Sequence, residues 1–137
     1  MTPRGIRNNN PGNIEKGEAW QGLSKDQSSD PRFCVFDAPE YGIRAIEKIL
    51  ISYENRGINT ITKIIETWAP SVENNTQAYI DAVAASSNIS PTEIIDIKDP
   101  KIANPIIKAI ILHENGEEPY SDDIINKGLE LAGLTIS

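Results

Sequence analysis

The stretch Asp37-Ala38-Pro39-Glu40-Tyr41-Gly42-Ile43-Arg44-Ala45-Ile46-Glu47-Lys48-Ile49-Leu50-Ile51-Ser52-Tyr53-Glu54-Asn55 decides the fold class. Ile43, Ile46, Ile49, Leu50 and Tyr53 recur at three- and four-residue intervals, which lines their side chains along one face of an α-helix. Asp37 stands as its N-cap, Glu40 completes a capping box, and Gly57 ends it. The same period continues onward. Thr60 caps a second helix, with Ile61, Ile64, Ile65 and Trp68 on one stripe and Pro70 as its stop. A third starts near Asn74 or Asn75, with Tyr79, Ile80 and Val83 on its face. Ser90-Pro91-Thr92-Glu93 reads as a capping box that opens a short helix through Ile95. A longer helix begins at Asp99, or at Asn104 with Pro105 as its first residue, and runs to His113 or Glu114. The last starts at Ser121, carries Asp122 and Asp123 in its first turn, and closes at Gly133.

Residues 1–36 read differently. Asn8-Asn9-Asn10-Pro11-Gly12-Asn13, Gly17, Gly22 and Ser28-Ser29-Asp30-Pro31 are turn signals, and only Arg32-Phe33-Cys34-Val35-Phe36 has strand character. The expectation is a single domain over 1–137, mainly α (α+β), with a small irregular/β lobe at 1–36 and a helical lobe at 37–137. A chain of 137 residues with 39% hydrophobic content can bury roughly two thirds of its unfolded surface without disulfides or metals. The lone Cys34 excludes an internal disulfide and reads as a buried hydrophobe.

The net charge of -7 makes the phosphate backbone of nucleic acids a poor partner. Apolar runs of four or five residues fall far short of the ~18 needed for a membrane span. The polar start, Met1-Thr2-Pro3-Arg4-Gly5-Ile6-Arg7, is unlike a secretory signal. His113 is the single histidine, which excludes a multi-histidine metal site. No phosphate loop, dinucleotide fingerprint or Cys-x-x-Cys occurs, so no cofactor is expected.

The strongest chemical signal lies in Ile106-Ile107-Lys108-Ala109-Ile110-Ile111-Leu112-His113-Glu114-Asn115-Gly116. Glu114 follows Ile107 by seven, Ile110 by four and Ile111 by three residues, so its carboxyl group lies in line with the apolar stripe. It also falls in the last helical turn, ahead of an Asn115-Gly116 C-cap. Partial burial and the negative end of the helix dipole both favour a protonated acid, the state that a general acid requires. A solvated carboxylate at the helix end is the structural alternative. Glu73, in a polar loop, is either a second acid able to orient water or a plain solvated one. Tyr79 lies on an apolar face, and Trp20, in a turn-rich segment, is a sugar-stacking candidate. The asparagines around Pro11 can hold their turn through left-handed backbone geometry, present amides to N-acetyl groups, or do both.

Ala109 to Gly116, followed by Pro119-Tyr120-Ser121, resembles the catalytic helix end of lytic transglycosylases and related lysozyme-like enzymes. Asn9-Asn10-Pro11-Gly12-Asn13-Ile14, Trp20-Gln21-Gly22 and Phe33 to Phe36 ahead of Gly42-Ile43-Arg44-Ala45 resemble a lobe of autolysin-type glucosaminidases. Trp68 to Ile80 resembles a later part of those domains, where a tyrosine lines the glycan groove. The glutamate helix comes first in those enzymes and near the end here, so the resemblance implies a circularly permuted lysozyme-like domain. From Arg4-Gly5-Ile6-Arg7 to the Glu-Asn-Gly turn, the chain also resembles small phage and prophage virion structural proteins.

These resemblances imply cleavage of the β-1,4 MurNAc–GlcNAc bond of peptidoglycan, by a lytic transglycosylase or muramidase, at the bacterial cell wall. Glu114 and Glu73 are then the catalytic candidates. Asn9, Asn10, Asn13, Trp20, Tyr41, Tyr79, Asn115 and Tyr120 are the substrate-binding ones. The implied partners are peptidoglycan glycan strands and other virion proteins, and the implied location is the virion or the host cytoplasm. A second reading is a noncatalytic virion structural or glycan-binding protein that keeps the fold. A third is an acidic protein directed at a basic host partner.

Overall fold

The computed structural model describes residues 1–71 and 75–137. The described residues form helices α1 (Arg4–Arg7), α2 (Pro39–Glu54), α3 (Ile61–Trp68), α4 (Thr76–Ser87), α5 (Pro100–Asn115) and α6 (Asp122–Leu131). The fold is mainly α. In place of the strand expected at residues 32–36, two isolated antiparallel bridges join Glu15 to Phe33 and Leu23 to Phe36.

Local chemistry explains most helix starts. Thr60 Oγ1 accepts from Lys63 N, Asn75 Oδ1 from Ala78 N and Ser121 Oγ from Ile124 N, each satisfying an otherwise orphaned first-turn donor. The alternative start at Asn74 lies outside the described residues. Asp99 Oδ1 accepts from Lys101 N, which selects the earlier of the two starts for α5 and leaves Pro105 inside the helix. Gly116, at φ 76°, closes α5 as expected.

Two expected capping boxes do not form. The residue before α2 is Ala38 rather than Asp37, and Pro39 enters the first turn with its φ already set and no N–H to satisfy. Asp37 instead accepts from Ser24 Oγ at 2.8 Å, tying the helix entry to the irregular lobe. Residues 90–95 form turns and extended chain, not a helix. The segment is tied to the start of α3, because Thr62 donates to Pro91 O from both N and Oγ1, and Ile95 N donates to Asn59 O. Tertiary hydrogen bonds thus outcompete the local helical ones.

Helix α2 packs chiefly on α6, and α5 lies against α4, α6 and α1. Ile43, Ile46 and Leu50 of α2, and Ile106, Ile107, Ile110 and Ile111 of α5, are fully buried. Each such side chain contributes about 1.5–3 kcal/mol relative to exposure. Cys34 is also buried, as expected, and burial raises its thiol pKa. Gly128 gives Ile43 its place, since a β-carbon there would strike Ile43 Cγ2 and Cβ.

The irregular lobe is held by polar side chains. Asn10 is fully buried; its Nδ2 donates to Ile14 O and Cys34 O, and its Oδ1 accepts from Ile14 N. Asp30, 2% exposed, accepts from Asn8 Nδ2 and from the backbone N–H groups of Arg32 and Phe33, and pairs with Arg4. Those N–H donors, led by Phe33, hold its carboxyl well below the usual carboxylate range.

Glu47 breaks the core pattern. It is 0% exposed on α2, and neither carboxyl oxygen has a hydrogen-bond partner. Burial, reinforced by the negative charges of Glu54 and Asp96, pushes its pKa up to about 9. This acid is therefore neutral in the core at pH 7.

Candidate functional site

The apolar stripe of α5 carries Glu114 to the floor of an open cleft of about 750 Å³, a size in the range of small-ligand sites. Gly12, Asn13 and Ile14 come from the irregular lobe, Trp68 and Ala69 from the end of α3, and Ile49 and Tyr53 from α2. Glu15, Arg32 and Phe33 complete the lining.

Among the described residues, three donors from separate parts of the chain hold Glu114. Tyr79 Oη and Trp68 Nε1 donate to Oε2 at 2.8 and 3.4 Å, and Asn13 Nδ2 donates to Oε1 at 3.2 Å. Asn13 reaches this position from a left-handed backbone conformation, φ 50°, at the turn after Pro11. The His113 ring stacks on Tyr79 with centroids 3.8 Å apart and planes at 27°, pressing the phenol against α5. Burial, followed by the charge of Glu114 and the hydrogen bond to it, drives the Tyr79 pKa far above its ordinary value, so the phenol remains a donor.

At the rim, Arg32 pairs with Glu15, with Nη2 and Nε at 2.5 and 2.7 Å from Oε1. The Arg32 and Arg4 guanidinium carbons stand 4.8 and 5.1 Å from the Phe33 ring centroid, and that of Arg56 stands 5.4 Å from the Tyr53 centroid.

The candidate residues therefore divide. Asn13, Tyr79 and Glu114 come together. Asn115 lies beside them, but its Nδ2 donates to Pro11 O and Ile111 O and joins α5 to the lobe. Asn9 donates to Phe36 O, and Asn10 is enclosed, so both brace the lobe rather than line the cleft. Trp20 and Tyr120 are partly buried against the core, with Nε1 and Oη buried without a partner, and Tyr41 fills the space above Gly22. None of these three lines the cleft. Burial first, then Glu118 and Glu117, pushes the Tyr120 pKa up to about 12. Glu73 lies outside the described residues. Trp68 reads as core from its position on the α3 stripe, yet its indole N–H serves Glu114. Its place ahead of Pro70, at a helix end, is the signal that marks it. Among the described residues, no group of three or more His, Cys, Asp or Glu could hold a metal ion.

The fold and this cleft define a small helical domain that surrounds one glutamate with neutral donors. No known family model matches the chain. Over 132 residues it is 39% identical to "Protein P5" of Pseudoalteromonas phage PM2, covering 93% of this chain and 80% of that protein. The chain belongs to the family of that phage protein.

This relationship corrects the main functional expectation. Cleavage of the MurNAc–GlcNAc bond rested on three short matches in permuted order, whereas the phage relationship runs through nearly the whole chain and favours a virion structural protein. No helix among the described residues is long and apolar enough to cross a membrane.

Proposed function

We propose that the chain is a noncatalytic virion component, on a permuted lysozyme-like scaffold, whose cleft holds glycan strands of the host wall. The relationship to the phage protein over 93% of the chain carries the virion assignment. The cleft supports the glycan part of the reading. It combines the indole and phenol rings of Trp68 and Tyr53 with the polar groups of Asn13, Glu15 and Glu114, the mixture that packs against sugar faces and pairs with sugar hydroxyls. Delivery by a particle also suits a chain of charge -7, which gains no long-range attraction to an anionic envelope.

The assignment is tested on particles from a producing strain, separated on a density gradient and probed for the chain by quantitative mass spectrometry. The chain is expected to band with the major capsid protein at a constant ratio across the peak. Its recovery only in the soluble fractions would refute the virion assignment.

A further inference from the structure

We infer that the cleft selects saccharides bearing a free ammonium group, which pairs with Glu114 on its floor. The inference rests on the glycan-binding reading above and names the ligand class that the site takes. The argument begins with charge. Arg32, the cation lining the cleft, is already matched by Glu15, and Arg4 by Asp30. Glu114 has three neutral donors and, among the described residues, no cationic partner. A carboxylate offers about four lone-pair positions, so the three donors among the described residues leave one acceptor position on a group that lines the cleft.

A ligand N–H completes that set, and a charged one does so more strongly. Charge-assisted hydrogen bonds are roughly twice as strong as neutral ones. The overall charge of -7 favours the approach of a cation over that of an anion. An amine-bearing hexosamine supplies both a pyranose face for the aromatic wall and an ammonium for the floor. Its N-acetylated counterpart supplies the same face with only a neutral amide N–H.

The test compares two probes with one backbone, the β-1,4 tetramers of glucosamine and of N-acetylglucosamine, by isothermal titration calorimetry under conditions that keep the amine protonated. The glucosamine tetramer is expected to bind about tenfold more tightly, a difference of about 1.4 kcal/mol. The preference is expected to vanish in Glu114→Gln. It is also expected to vanish in the unaltered protein once the pH is raised above the pKa of the sugar amine, an arm that does not depend on any variant folding. Equal binding of both tetramers would overturn the ammonium inference and leave the glycan reading in place. Tighter binding of the N-acetylated tetramer would do the same, and failure of both to bind would overturn both readings.

Discussion

Replacing Glu47 with methionine should stabilise the protein, and by an amount that depends on pH. The carboxyl is fully buried without a partner, with a pKa of about 9 against an ordinary value of 4.5. Below the ordinary value the acid is protonated in both folded and unfolded chains, so it contributes no pH dependence. Between the two values the folded chain retains a proton that the unfolded chain has released. The unfolded state then binds fewer protons, and stability falls as pH rises, by about 1.4 kcal/mol per pH unit. At pH 7 the accumulated cost is about 3 kcal/mol, and above the folded pKa it levels off. Methionine is of similar length, unbranched and uncharged, and fills the same space. Urea denaturation of both proteins at several pH values between 5 and 9 measures the difference directly. Glu47→Met should be the more stable by about 3 kcal/mol at pH 7, with the gap widening as pH rises. A gap that stays constant with pH would refute the reasoning, because it would mean that Glu47 is ionised in the folded protein throughout.

Asp30 should act in the opposite sense. Its folded pKa is depressed, so its contribution is present above the ordinary 3.8 and is lost as pH falls through the lower folded value; Asp30→Asn should flatten the acid limb of thermal melts. Asn10→Ala leaves Ile14 N and the carbonyls of Ile14 and Cys34 without that partner and should cost about 2–4 kcal/mol in urea denaturation. Gly128→Ala should lower Tm by forcing Ile43 out of its place between α2 and α6; Ile43→Ala removes the struck Cγ2, so losses that are less than additive in Gly128→Ala/Ile43→Ala would identify that contact as the cause.

The helical periodicity made most of the fold legible. Isoleucines at three- and four-residue spacing marked α2, α3 and α5, and single capping residues such as Thr60 and Ser121 located the starts of α3 and α6. Local signals failed where distant partners took over. Pro91 and Ile95 are claimed by the start of α3 and the residues ahead of it, and Asp37 by Ser24. The short α1 was missed because four residues carry no periodicity, and its Gly5 is buried against Asn10, Asn13 and Asn115. At the site, the position of Glu114 on its apolar stripe was readable. The convergence of Asn13, Trp68 and Tyr79 on it was not, because these residues come from three separate parts of the chain. Glu47 carried the same signal as Glu114, since it follows Ile43 by four residues and precedes Leu50 by three and so lies on the apolar stripe of α2.

The most direct test of the account is incubation of the purified protein with purified sacculi, followed by sedimentation and mass spectrometry of the supernatant. The account predicts that the protein sediments with the sacculi, that no soluble muropeptides are released, and that Glu114→Gln leaves the supernatant unchanged. Release of soluble glycan fragments by the unaltered protein, abolished in Glu114→Gln, would contradict it.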